Sequence, residues 1–178
     1  NPAMMLYTGL DCHENGNFED AFTWFTKAAA LGQSESIAEL ADYYYHFYDA
    51  KELRSTIPYD PVKAIGLYRR AATKNFSDAG YTALQAAFGY IFHIGHLPLD
   101  WGLIADLTHM AATKERFMFA LPYIGYMRIH GLGVTKNIRF AVQSLLRVLD
   151  EEQRAFEEEN RVLFYDITRA LTRVALGY

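Results

Sequence analysis

The stretch that decides the fold is Asn17-Phe18-Glu19-Asp20-Ala21-Phe22-Thr23-Trp24-Phe25-Thr26-Lys27-Ala28-Ala29. Ala21, Trp24, Phe25 and Ala28 stand at i, i+3, i+4 and i+7, which is one face of a helix. The same phase returns at Ala64, Leu67, Tyr68 and Ala71. It returns more weakly at Ile104, Leu107, Thr108 and Ala111, and again at Ala141, Ser144, Leu145 and Val148. The copies begin about 40 residues apart, a period that marks stacked helical repeats. Four residues before each copy stands Asn17, Asp60, Asp100 or Asn137. Such side chains cap a helix by accepting from an orphan N–H of its first turn. Pro61 follows Asp60 at the first helical position, where its missing N–H costs nothing.

Upstream of each cap runs a second helical pattern, anchored on a small residue: Gly9, Ala41, Gly89 or Gly125. A small side chain there lets a neighbouring helix approach closely. Each unit thus reads helix A, loop, helix B. The patterns predict helices near 3–14, 18–31, 34–49, 61–74, 77–94, 100–113, 116–130 and 137–150. A ninth, near 155–176, carries Val162, Leu163, Phe164, Ile167, Leu171 and Val174 and is predicted to cap the array. The acidic residues Asp150, Glu151, Glu152, Glu157, Glu158 and Glu159 before it read as a solvated turn and helix start, where acids suit the dipole. No segment alternates with a period of two, so no sheet is expected. Paired helices of this length bury their apolar faces only by stacking on neighbours.

Composition agrees with one folded domain spanning 1–178, with repeats at about 3–32, 33–75, 76–114 and 115–150. Of the residues 51% are hydrophobic and 21% charged, which excludes disorder. A formal charge of −4 argues against nucleic acid, which needs a basic footprint. The single Cys12 excludes an intramolecular disulfide framework and any multi-cysteine zinc site. No stretch reaches the length of a membrane span. The chain opens on Asn1-Pro2 without an initiator Met, as expected of a mature product or a fragment, and its close on Ala175-Leu176-Gly177-Tyr178 also fits a fragment. Aromatic residues make up 15%, enough either to fill the seams between helices or to meet a partner.

The fourth unit reads Ile124-Gly125, then Gly131-Leu132-Gly133-Val134, Asn137 and Ala141. It resembles the Sel1-like repeat. Lys27-Ala28-Ala29 and Arg70-Ala71-Ala72 resemble that repeat's ending. The first unit leans toward the tetratricopeptide pattern through Gly9, Cys12, Gly16, Ala21, Phe25 and Ala28. The resemblance covers about 3–150 and is weakest in the third unit. The second unit carries an insertion around Lys51–Tyr59. The resemblance implies an all-α fold: a right-handed α/α solenoid of Sel1-like (tetratricopeptide-like) helix pairs. It also implies a scaffold or adaptor with a concave protein-binding surface, without catalysis.

Other motifs have plainer readings. His93-Ile94-Gly95-His96 spells a nucleotide-enzyme signature but lacks the strands such a site needs. Gly131-x-Gly133 suits a helix end that takes positive φ rather than a phosphate loop. Asn75-Phe76-Ser77 is a glycosylation sequon in an inter-repeat loop. Cys12 falls where the repeat wants a core residue, so an inert thiol is expected. No catalytic constellation, metal site or cofactor motif is found.

The functional candidates come from the phase of helix A. Four residues beyond the anchors stand His13, Tyr45 and His93, and five beyond stand His46 and His130. One residue beyond stand Asp42, Tyr90 and Tyr126. A row of His and Tyr offers flat contact area with hydrogen-bonding tips. The alternative is that these residues pack at the A–B turns and bond backbone carbonyls. The first reading predicts a groove that binds a partner protein or peptide. Its histidines would gain charge on acidification and favour an acidic partner. The rivals are a structural segment of a longer repeat array and a hydrolase carried on a helical-repeat frame.

Overall fold

The structure, a computed structural model, describes residues 1–46, 56–113 and 117–157. Among these residues eight α-helices form and no strand does. They are α1 (Pro2–Glu14), α2 (Phe18–Ala30), α3 (Ser34–Tyr45) and α4 (Pro61–Ala72), followed by α5 (Ala79–Ile91), α6 (Trp101–Ala112), α7 (Phe117–His130) and α8 (Ile138–Glu157). Odd-numbered helices are the A helices of the predicted repeats and even-numbered ones the B helices.

The caps fall where the sequence puts them. Asp60 accepts from the Lys63 N–H, Asp100 from the Leu103 N–H and Asn137 from the Phe140 N–H, each at 3.0 Å. Asn17 holds the fourth cap position without a side-chain bond. The helix-B faces are buried in the predicted phase. Ala21, Phe25 and Ala28 are sealed from solvent, as are Ala64, Tyr68 and Ala71, and Ala141, Leu145 and Val148. Trp24 departs from that expectation. It is half-exposed, with the Lys27 ammonium 4.6 Å from its ring, while Phe25 supplies the core ring.

The small anchors do the expected work. A Cβ on Gly9 would stand 2.6 Å from the Phe25 ring, and one on Gly125 would stand 2.9 Å from Leu145. Helix A and helix B of the first and fourth repeats therefore meet backbone against ring or side chain. In the third repeat the position of Phe25, Tyr68 and Leu145 holds Thr108, whose hydroxyl donates to the Ile104 carbonyl of its own helix at 2.8 Å. The Gly89 seam is filled instead by Ile65 of the preceding helix.

The chain forms two compact units, Asn1–Leu99 and Asp100–Tyr178. In the first, α1 to α4 each pack on the next helix in order, closing with α4 on α5. In the second, α6 packs on α7 and α7 on α8. The boundary falls inside the third predicted repeat, between its A and B helices.

Three helix ends differ from the predicted bounds. α3 stops at Tyr45, where His46 turns left-handed at φ 52. α5 stops at Ile91, before a short 3-10 turn over Ile94–His96. α8 runs to Glu157, so Asp150, Glu151, Glu152 and Glu157 lie in a helix rather than a turn. No Gly or Pro interrupts 150–156, and Glu is a good helix former. The predicted capping helix near 155–176 lies outside the described residues beyond Glu157. So does most of the insertion around Lys51–Tyr59.

Candidate functional site

The A-helix row does not share one environment. Asp42 is only 8% exposed and faces the interior of the first unit. Its carboxylate accepts a short hydrogen bond from the Tyr68 hydroxyl. Burial drives its pKa from 3.8 to about 7, against the opposing hydrogen bond from Tyr68. The negative charges of Glu39 and Asp78 push it the same way as burial. Tyr68 in turn is pushed well above the ordinary phenol value, first by burial and then by the Asp42 charge.

His13 reaches across to the third helix, its Nδ1 2.8 Å from the Tyr43 hydroxyl and its ring edge-on to Phe18. Burial lowers its pKa. His46 caps the end of α3 and His93 stands two residues past the end of α5, both in the left-handed region. Their rings bond backbone carbonyls, His46 Nε2 to Ile57 at 2.8 Å and His93 Nδ1 to Leu97 at 3.1 Å. Tyr45 is half-buried beside Tyr59 and Tyr68, and burial raises its pKa. Tyr90 is 8% exposed and its hydroxyl accepts from Arg69 at 3.2 Å.

In the second unit Tyr126 and His130 stand one turn apart on α7. Their rings lie 4.5 Å apart, with His130 exposed. The Gly131 and Gly133 pair that follows takes φ of 71 and 67, the helix-end role read from the sequence. Burial and the charges of Asp20 and Asp11 raise the Cys12 pKa, which favours the protonated thiol, although the side chain is half-exposed rather than in the core as expected. Among the described residues no group of three or more His, Cys, Asp or Glu could hold a metal ion.

A second feature of the helix-A side escaped the phase count. In the first unit a cleft of about 190 Å³ opens between α1, α3 and the α4–α5 connection. Leu6 and Leu10 form one wall, Glu35, Ala38 and Glu39 a second, and Phe76 and Asp78 a third. Leu6 and Ala38 stand three residues before their anchors, so counting backward as well as forward would have found the walls. The connection residues Phe76 and Asp78 carry no periodic signal.

The stacked helix pairs define the class: an α solenoid. The Sel1 repeat family profile matches residues 3–33, 34–76 and 123–143, just over half of the chain. The chain belongs to the Sel1 repeat family. The third predicted repeat falls between the matches, in keeping with its lost helix-B knob. Among solved structures it is similar to a Sel1 repeat protein from Oxalobacter formigenes, at 23% identity and TM-score 0.68 over 85% of this chain and 57% of that one. It is also similar to c5321, a protective antigen of uropathogenic Escherichia coli displaying an SLR fold. That match has 16% identity and TM-score 0.65 over 97% of this chain and 38% of that one. This chain spans less than two thirds of either structure. No curated protein matched it. Sel1 repeats generally serve as protein–protein interaction modules, as non-catalytic scaffolds. No helix among the described residues is long and apolar enough to cross a membrane.

Proposed function

We propose that this domain is a scaffold or adaptor whose partner, a protein or peptide, docks on the helix-A side. The observation that carries this reading is the cleft in the first unit, walled by successive A helices and the α4–α5 connection. In the second unit the accessible contacts are Tyr126 and His130 on α7. Tyr90 and Asp42 contribute through the interior, because both are nearly covered. His46 and His93 chiefly shape the A-helix ends.

Photo-crosslinking tests the placement. A benzophenone side chain at Leu10 or Tyr126 should trap the partner during affinity capture. The same group at Thr26 or Gln143, exposed on helix B, should not. Trapping from the helix-B positions alone would overturn the placement. Tyr126→Ala should weaken binding by about 1–2 kcal/mol, as aromatic contact residues do.

A second reading, repeat-on-repeat stacking in a longer array, is favoured by α1. Its outward side holds Met4 and Tyr7 at 63% and 66% exposure. Oxidative footprinting of a chain carrying further repeats should then find Met4 protected. Equal oxidation with and without them would remove this reading.

A further inference from the structure

We infer that the cleft in the first unit receives a cationic side chain, Lys or Arg, presented by the partner. The inference rests on the helix-A reading and names the chemistry that side selects. The lining combines apolar walls with three carboxylates, Glu35, Glu39 and Asp78, and includes no Lys, Arg or His. Lys and Arg match that combination. Their alkyl stems pack on apolar surface while the charged head reaches polar groups.

Size points the same way. At about 190 Å³ the cleft is smaller than the roughly 300–1,000 Å³ of sites that enclose drug-sized ligands. It suits one long side chain of a larger partner. The electrostatics are already focused. Glu39 and Asp78 come from different elements, yet both act on the buried Asp42. Both also line the cleft, where a cation relieves the repulsion between like charges. Glu35 is held in position by the Gln33 side-chain amide, which donates to it at 3.3 Å. The whole chain carries −4, which steers a basic partner toward it. The acidic partner suggested by the histidine row loses support here. His46 and His93 are engaged with backbone carbonyls, and the charged groups that line the cleft are acidic.

The probe is a fluorescein-labelled peptide of Lys and Ala, with a twin in which Glu replaces Lys. Anisotropy should show binding of the Lys peptide only, weakening as salt rises from about 0.05 to 0.5 M. The double variant Glu35→Lys, Asp78→Lys should weaken binding about tenfold or more. Should that variant fail to fold, Glu35→Gln keeps the shape and an acceptor for Gln33, and should still weaken binding about two- to threefold. Methyl resonances of Leu6 and Leu10 should shift on titration. Equal binding of both peptides, wild-type affinity in these variants, or unmoved Leu6 and Leu10 methyls would overturn the inference. The two readings fail separately. A partner trapped from Leu10 that binds the charge-reversed domain as tightly as the wild type refutes the cationic assignment alone. A partner trapped only from Thr26 and Gln143 refutes both.

Discussion

The first and second repeats fill the same helix-B position with rings that differ by one oxygen. Phe25 is fully buried, its ring against Gly9 and edge-on to Tyr43 at 5.6 Å. Tyr68 is 1% exposed and edge-on to Tyr81 at 6.2 Å, and its hydroxyl donates to Asp42. A buried hydroxyl needs a partner, since leaving one unmade costs about 1–3 kcal/mol. The second repeat meets that need with a carboxyl group, and so carries a titratable pair into its core. The first repeat carries none at this position. One scaffold position thus holds a ring with no titrating partner in one repeat and a ring bonded to a titrating carboxyl in the next.

The sharpest way to break this comparison is to remove the Phe25 ring. Phe25→Ala should cost about 3–5 kcal/mol in chemical denaturation, at acid and neutral pH alike. A pH-dependent loss at Phe25 would erase the distinction between the repeats. Asp42→Asn should act next most strongly, through pH. Folding raises the Asp42 pKa from 3.8 to about 7, so the folded chain holds its proton more tightly than the unfolded one. The stability this gives is complete below about pH 4 and drains as pH rises toward 7, by up to about 1.4 kcal/mol per pH unit. Asn keeps an acceptor for Tyr68 and does not titrate. The variant should therefore lose that slope, and above neutral pH it should melt higher than the wild type. An unchanged slope between about pH 4 and 7 would show that Asp42 does not govern it.

Glycine seams separate the first repeat from the fourth. Gly9 faces an aromatic ring locked against Tyr43, while Gly125 faces the end of the Leu145 side chain. Gly9→Ala should cost about 1–3 kcal/mol by overpacking, and Gly125→Ala less, because Leu145 can change rotamer. Equal losses in urea titrations would mean that ring and aliphatic side chain yield alike.

The fold was legible because its signals are local. Asp60, Asp100 and Asn137 announce their helices by side-chain capping, and Gly9 and Gly125 sit in the phase of the side chains they receive. The site was less legible because its geometry is not periodic. His46 and His93 look like groove residues while the helices are extended through them. Both instead lie past the helix ends in left-handed conformations and bond Ile57 and Leu97. Asp42 shares the phase of Tyr90 and Tyr126, but its meeting with Tyr68 depends on how α3 packs against α4. Phe76 and Asp78 lie in a connection, where no spacing rule places a side chain.

Trp24 and Phe25 give the smallest and most local comparison, two neighbours on one helix. Both belong to the apolar face by spacing, yet α2 turns Phe25 into the seam and leaves Trp24 half-covered at its margin. Trp24 still packs part of its ring and holds the Lys27 ammonium 4.6 Å from the centroid. Partial burial and an exposed cation–π contact are each worth about 1 kcal/mol. Trp24→Ala should therefore cost about 1–2 kcal/mol, well short of Phe25→Ala. Trp24→Phe should recover much of that loss, because a smaller ring at a margin still covers apolar surface. Lys27→Ala in the Trp24→Ala background should add little, since the cation has lost its ring. Matched denaturation curves for Trp24→Ala and Phe25→Ala would show that both rings are core, and that α2 is rotated from the orientation described.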